Sequence, residues 1–87
     1  MEIWKYKLEL MSSKVIEMPY GAEILCVQMQ GQSICLWAKV DPKARVGKRE
    51  FVVIGTGHAF SDTFVGRYIG TVQTEGGLFI WHVFERQ

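Results

Sequence analysis

The feature that most constrains this chain is a two-residue alternation of apolar and polar side chains. It is clearest in residues 3–10, where one side is apolar and the other is charged. The apolar side holds Trp4, Tyr6, Leu8 and Leu10, and the charged side holds Lys5, Lys7 and Glu9. Successive side chains of a β-strand point to opposite faces, so this alternation predicts a strand with one buried face.

Similar short β-type stretches recur about every ten residues, each bounded by turn-forming residues. They predict seven strands, at residues 3–10, 11–18, 22–30, 34–41, 49–56, 66–74 and 78–85. No stretch shows a helical period over a helical length, and residues 58–66 are assigned to a loop. The spacing predicts an all-β fold, a small antiparallel β-sandwich or barrel. With 87 residues the chain is expected to form a single domain, 1–87.

The first predicted hairpin turns at Gly31-Gln32. A two-residue turn there places a wholly apolar set on one face, which is the predicted core side. That set is Leu25, Val27, Met29, Ile34, Leu36, Ala38 and Val40. The opposite face carries Trp37 and, diagonally, Cys26 and Cys35, at roughly 7–8 Å, which is too far for an unstrained disulfide.

The second predicted hairpin turns within residues 75–77. A two-residue loop groups its side chains into two sets, which a three-residue loop would exchange between the faces. One set is Tyr68, Gly70, Val72, Phe79, Trp81 and Val83. The other is Ile69, Thr71, Gln73, Leu78, Ile80, His82 and Phe84.

Both faces of both hairpins are therefore rich in apolar residues, whereas a sheet with one solvated face should be polar on that side. We expect a homo-oligomer, in its simplest form a two-fold dimer with its outer faces packed together. The expected interface residues are Trp37, Ile80, His82 and Phe84. The alternative is closure into a barrel, which hides more of each strand than an open sheet does.

The charge balance bounds the function. Ten Lys and Arg against nine Asp and Glu give a net charge of +1, so the sequence carries no strong nucleic-acid signal, and any such binding would need a local patch. No apolar run has the character of a signal peptide or the roughly 20 residues of a membrane span. We expect a cytoplasmic protein with reduced thiols and no membrane partner.

The segment Gly55-Thr56-Gly57-His58 is the first candidate ligand site. Its glycines free the backbone around Thr56, so successive N–H groups can converge into an anion-binding nest beside the Thr56 hydroxyl and the His58 imidazole. It lacks the third glycine and the following helix of a dinucleotide fingerprint. The structural alternative is a strand that ends in a bulge or a sharp bend.

The basic stretch 42–49 is the second candidate. It carries four cationic residues and no acid, and the forked guanidinium groups of Arg45 and Arg49 are best suited to clamp a phosphate. The expected ligand is a small anionic nucleotide. The alternative is a solvated hairpin tip.

No catalytic residue, metal site or cofactor is predicted, and we expect a protein that is not an enzyme. His58, Ser61 and Asp62 are close in sequence, but a catalytic triad needs its members held in relay geometry by separate parts of a scaffold. The chain has no paired-carboxylate pattern, and neither cysteine has the surroundings of an activated thiol.

Several motifs, spread over nearly the whole chain, resemble a family of short proteins encoded by tailed phages and prophages. They are Ile16-Glu17-Met18-Pro19 with Gly21-Ala22, Cys35-Leu36-Trp37-Ala38 with Val40-Asp41-Pro42, Gly55-Thr56-Gly57-His58, Tyr68-Ile69-Gly70-Thr71, Gly76-Gly77 and Trp81-His82-Val83-Phe84-Glu85. The resemblance supplies no known active site. It implies expression in the cytoplasm of an infected bacterium, where many proteins of this size block host defences.

Three functions follow as expectations. The first is a sponge that sequesters a nucleotide-derived immune signal. The second is a protein-binding inhibitor of a host defence effector, such as a CRISPR enzyme. The third is a phage accessory structural protein. A sponge needs the 55–58 turn and the basic stretch to converge in one pocket, whereas an inhibitor needs only a surface patch.

Overall fold

The computed structural model describes residues 1–10 and 13–87. Within them the chain forms seven β-strands and one 3-10 turn and contains no longer helix, which confirms the all-β prediction. The strands are β1 (Glu2–Leu8), β2 (Ser13–Pro19), β3 (Glu23–Gln30), β4 (Ser33–Val40), β5 (Val46–Gly55), β6 (Gly66–Thr74) and β7 (Phe79–Arg86), and the 3-10 turn is Glu75–Gly77. The first two residues of the predicted strand 11–18 lie outside the described residues. No helix in the described part of the chain is long and apolar enough to cross a membrane.

The strands form two antiparallel sheets that pack as a sandwich. The three-stranded sheet has the order β1-β4-β3, and the four-stranded sheet has the order β2-β5-β7-β6. The face that each sheet turns toward the other is called its inner face, and the opposite one its outer face. In the described residues the strands do not close into a barrel, so the sandwich is the correct member of the predicted pair.

The core lies between the inner faces and draws on both sheets, as alternation within each strand requires. Phe51, Leu36, Ala38, Val40 and Val83 are completely enclosed. The buried cluster consists of Leu8, Ile16, Met18, Ala22, Val27, Ile34, Leu36, Ala38, Val40, Phe51, Val53, Val72 and Val83. The predicted inward set of the first hairpin is thus confirmed except at Leu25.

Leu25 was assigned to the wrong face because of a β-bulge. The pairing of β3 with β4 shifts register between Ile24 and Cys26, so Ile24 takes the inner position opposite Ala38. Leu25 becomes the unpaired extra residue and is 44 % exposed.

A second β-bulge changes the predicted faces of the second hairpin. The pairing of β6 with β7 shifts between Tyr68 and Gly70, which leaves Gly70 facing inward opposite Val83 and turns Tyr68 outward opposite Phe84. Ile69, predicted in the set of His82 and Phe84, becomes the unpaired extra residue and packs against the core cluster. Val72 and Trp81 share the inner face, as predicted. The two bulges lie on β3 and β6, the edge strands along which the sheets approach each other.

Candidate functional site

The two predicted parts of the ligand site lie at opposite ends of β5. This strand starts at Val46, earlier than predicted, because residues 46–48 pair with β2. Arg45 precedes its first residue, and the 55–58 turn begins at its last. Ten extended residues rise by about 3.3 Å each, so about 30 Å separates the two. The structure therefore does not bring Arg45 and the turn into one pocket.

The guanidinium of Arg45 lies over the ring of Tyr20, 4.6 Å from its centroid. The backbone N–H of Tyr20 donates to the Arg45 carbonyl at 2.7 Å. These contacts tie the loop before β5 to the turn after β2. The Arg45 side chain therefore packs within the fold, against Tyr20.

Arg49 is on the inner face, where it forms a bidentate ion pair with Glu85. Its Nε and Nη2 donate to the two carboxylate oxygens at 2.6 and 2.9 Å, and Nη1 donates to the carbonyl of Ala22. The side chains are only 23 % and 12 % exposed. The hydrogen bonds that Arg49 donates to Glu85 raise the pKa of Arg49, against the lowering effect of burial. Arg49 thus cross-links β5, β7 and the start of β3, and it is not presented to a ligand.

Residues 55–58 form a sharp bend at the end of β5, which agrees with the structural interpretation of this segment. The N–H of Thr56 donates to the Ile80 carbonyl at 3.0 Å, and the N–H of His58 donates to the Gly55 carbonyl at 3.0 Å. An anion-binding nest needs such N–H groups to be free and convergent. These two are already used within the fold, so the nest hypothesis is not supported.

Gly55 is required by the packing of the turn. A Cβ atom at this position would lie 2.7 Å from Nδ1 of His58 and 3.1 Å from Cζ3 of Trp81. The imidazole and indole rings meet edge to face above it, with centroids 5.9 Å apart. Gly57 has a φ of +87°, the left-handed region that glycine adopts without strain.

The turn does contact the predicted interface residues. Thr56 Oγ1 is hydrogen-bonded to Nε2 of His82 at 2.7 Å, and Thr71 Oγ1 to Nδ1 of the same ring at 3.0 Å. The Tyr68 hydroxyl continues the row to Thr71 at 2.5 Å. Sequence reasoning treated the turn and His82 as separate features, and the structure joins them on the outer face of the four-stranded sheet.

The four predicted interface residues are divided between the two sheets. Ile80, His82 and Phe84 share the outer face of the four-stranded sheet, as their alternation on β7 predicted. Trp37 is on β4, on the outer face of the three-stranded sheet. A single flat interface therefore cannot contain all four.

The loop between β5 and β6 covers part of the outer face of the four-stranded sheet. Phe64 packs edge to face on Phe84, with ring centroids 5.8 Å apart. Val52 faces outward yet is only 7 % exposed and lies outside the main core cluster. The chain thus supplies some of the cover that was expected from a second copy, an option that the sequence reasoning did not consider.

Four rings form a continuous row across this face, which we call the aromatic row. It runs Phe60, Phe64, Phe84, Tyr68, with centroid separations of 6.1, 5.8 and 5.6 Å. Both ends are open to solvent, since Phe60 is 61 % and Tyr68 is 56 % exposed. Phe60, Phe64 and Tyr68 were not among the predicted site residues. The only sequence signal for Phe60 and Phe64 was their spacing of four residues in a segment without strand periodicity.

A cavity of about 370 Å³ opens between the loop and the sheet. Its lining includes Phe60, Phe64, His58 and Arg86. The guanidinium of Arg86 lies 5.0 Å from the centre of the Phe64 ring and pairs with Glu50 at 3.0 Å. A smaller cavity of about 260 Å³ on the other side of Phe60 is lined by the 55–58 turn, His82 and Phe84.

The remaining candidates give no reactive arrangement. Ser61 Oγ bonds to the Thr63 hydroxyl at 2.7 Å, and no hydrogen bond joins Ser61 to His58 in the described residues. Across residues 1–10 and 13–87, no three His, Cys, Asp or Glu side chains cluster as metal ligands. Cys26 and Cys35 are free thiols, and their strand partners, Trp37 and Gln28, confirm the predicted diagonal placement.

Comparison with known proteins adds a family but no activity. No curated protein and no solved structure matches the chain significantly. The model of one protein family matches residues 1–87, the full length analysed. The chain therefore belongs to the family described as Domain of unknown function (DUF7352).

Proposed function

We propose that this domain is a non-enzymatic, phage-encoded binding protein that inhibits a host defence protein through the aromatic row. The resemblance in sequence supports the phage origin and the cytoplasm of an infected bacterium as its place of action. The surface chemistry supports protein binding. The proposal assigns the contact to the ends of the row, Phe60 and Tyr68, with Val65 between them in sequence.

The observation that carries the proposal is the exposure of two aromatic rings, each of which packs on a partly buried ring. Phe60, Val65 and Tyr68 are each more than half exposed, at 61, 62 and 56 %. Isolated exposed apolar residues are ordinary, but contiguous apolar patches on small proteins mark interaction sites. Aromatic residues are also enriched at the centres of protein interfaces, where they carry much of the binding energy. Packing of Phe60 on Phe64, and of Tyr68 on Phe84, holds both rings in place before a partner arrives.

A phage-plating assay tests the proposal. The domain is expressed in a panel of bacterial hosts that each carry one defence system, and plating of a sensitive phage is measured. We expect the native chain to restore plating against one system and Phe60→Ser/Tyr68→Ser to lose that effect. Val46→Ser is the matched control, because Val46 is 64 % exposed at the far end of β5.

Calorimetry with the purified effector of that system then measures the binding itself. We expect the double variant to bind at least a hundredfold more weakly, since removal of two interface rings commonly costs about 3 kcal/mol or more. If a folded Phe60→Ser/Tyr68→Ser variant restored phage plating as fully as the native chain, the aromatic row would be rejected as the binding surface.

A nucleotide sponge is the second candidate, and the 370 Å³ cavity is the observation that favours it. Its volume is within the range of small-molecule sites, and its aromatic walls with Arg86 suit a nucleobase and its phosphate. This location differs from the site predicted by sequence. A thermal-shift screen with cyclic di- and trinucleotides and cyclic ADP-ribose species tests it, because a tight ligand raises the melting temperature. The absence of any shift would remove this candidate.

Self-association remains part of the proposal, and the shape of the chain supports it. Its accessible surface is 5822 Å², against about 5,200 Å² for a monomeric protein of 10.0 kDa. Its radius of gyration is 13.2 Å, against about 12 Å for a compact domain of this length. Light scattering that gives the monomer mass at micromolar concentration would reject self-association.

A further inference from the structure

The outer face of the three-stranded sheet has a different chemistry from the aromatic row. Trp37 is at its centre on β4, with Lys5 of β1 as its partner on one side and Cys26 of β3 on the other. Along the same face Lys7 pairs with Cys35, and Lys39 with Ile3. Gln28 and Gln30 complete the β3 side.

Positive charge is concentrated on this face. Lys5, Lys7 and Lys39 lie on it. Against these three lysines the strands of this face carry one acid in the described residues, Glu23, which is paired with Lys39 at 3.5 Å.

Glu2 is on the inner side of β1 and accepts the indole N–H of Trp4 at 2.7 Å, so it is not part of the face. Glu9 follows the last residue of β1. Three lysines and one glutamate leave a local charge of +2 on the strands of this face, in a chain whose net charge is +1. The face is therefore more positive than the rest of the surface.

The indole ring of Trp37 is half-buried, and its N–H group is free to donate a hydrogen bond. The indole N–H of Trp4 is bonded to Glu2, and that of Trp81 to Thr74 at 2.9 Å. For Trp37, no acceptor occurs among the described residues. Beside it, the amide of Gln30 accepts from Lys5 at 2.6 Å across β4. Lysines, a ring with a free N–H and side-chain amides thus share one surface.

We propose that this face binds single-stranded nucleic acid, with phosphates on the lysines and a base against Trp37. Non-specific single-strand sites combine a basic surface with aromatic rings on which bases stack, and both parts are present here. Lys5 and Lys7 are two residues apart on an extended strand, so about 7 Å separates them along the path of the sugar–phosphate chain. The bases of a duplex are stacked on one another and leave none for Trp37. An acidic peptide would use the lysines but not the ring.

Fluorescence anisotropy with labelled twelve-nucleotide thymidine and uridine strands tests the proposal and separates DNA from RNA. The plot of log affinity against log salt should have a slope of about −2, because each of about three phosphate contacts contributes about 0.7 on a single strand. Lys7→Gln should weaken binding and reduce the slope by about 0.7. Lys48→Gln is the matched control, since Lys48 is an exposed lysine on β5 in the other sheet.

Trp37 is tested separately from charge. Trp37→Leu should weaken binding about tenfold or more, as the loss of one stacked base does. Phe79→Leu, which removes an exposed ring from the other sheet, should leave it unchanged. Circular dichroism and melting temperature confirm that each variant is folded.

Four results would overturn the proposal. The first is no binding of either strand at 50 mM salt, and the second is equal weakening by Lys7→Gln and Lys48→Gln. The third is full affinity in a folded Trp37→Leu variant. The fourth is competition by polyglutamate as effective as by oligonucleotide, because charge alone would then explain the attraction. None of these results bears on the aromatic row, which is on the opposite side of the sandwich.

Discussion

Gly70 lies so close to Val27 that a Cβ atom on residue 70 would be 2.7 Å from Cγ1 of the valine. The two residues belong to β6 and β3, the edge strands at which the two sheets approach each other. A bulge in each strand turns them toward this contact. The hydrogen at Gly70 is therefore what lets the sandwich close along this side.

Gly70→Ala should destabilise the fold by about 1–3 kcal/mol, the usual effect of adding a methyl group to a filled core. Val27→Ala creates the space that the new methyl needs. The double variant should consequently lose less stability than the sum of the two single changes. Urea unfolding of all four proteins measures this coupling, and strict additivity would contradict the close approach.

Arg49→Ala should cost about 2–3 kcal/mol, because it leaves the half-buried Glu85 carboxylate without its partner and the Ala22 carbonyl without its donor. Replacing both members, as Arg49→Met/Glu85→Met, should recover most of that loss, since no charge then remains buried. Chemical denaturation at pH 7 provides the measurement. If the double variant were less stable than Arg49→Ala, the ion pair would contribute more to stability than the mutual neutralisation of its two charges.

Tyr6 should make the protein less stable in alkali. Burial raises the pKa of its phenol above the usual value of 10.0, so the folded state favours the protonated form. Its contribution is complete below pH 10 and is lost as the pH rises through the higher pKa of the folded state. The unfolding free energy should fall more steeply above pH 10 in the native chain than in Tyr6→Phe.

The same variant tests the buried hydroxyl at neutral pH. Among the described residues the Tyr6 hydroxyl has no hydrogen-bond partner. Its removal should therefore leave stability unchanged or raise it by up to about 1 kcal/mol at pH 7. Tyr20→Phe, at an exposed tyrosine, is the control and should change neither quantity. A clear loss of stability in Tyr6→Phe would mean that the hydroxyl is bonded.

Gly55→Ala should cost about 1 kcal/mol, because the new Cβ meets the imidazole of His58 and the indole of Trp81. His58 is exposed and its ring can move, which keeps the cost small. His58→Ala in the same chain should restore most of the stability. If Gly55→Ala is neutral by itself, the glycine is not required by packing, and the function of the turn must be reconsidered.

Sequence reasoning recovered the features of this fold that depend on local alternation. The turn at Gly31-Gln32 and the shared face of Val72 and Trp81 follow from period-two patterns and turn chemistry. The bulges did not follow, because an inserted residue in a strand that is apolar on both sides leaves no mark in the pattern. Leu25, Tyr68 and Ile69 were assigned to the wrong faces for that reason.

The candidate site was less predictable because it depends on contacts between distant segments. Arg49 was grouped with Arg45 as a loop cation, since the pairing of β5 with β2 is not visible in the sequence. The carboxylate that binds Arg49 comes from Glu85, 36 residues further along the chain. Phe60 and Phe64 were overlooked for a related reason: a loop has no periodicity to show which of its side chains fold back on a sheet.

The aromatic row draws two of its four rings from the connection between β5 and β6, a segment that contributes nothing to the buried cluster. Under the proposed function, part of the binding surface is thus encoded outside the segments that form the core. Exchange of residues 59–63 between family members, which replaces Phe60, should change the affinity for the partner, while the scaffold keeps its melting temperature.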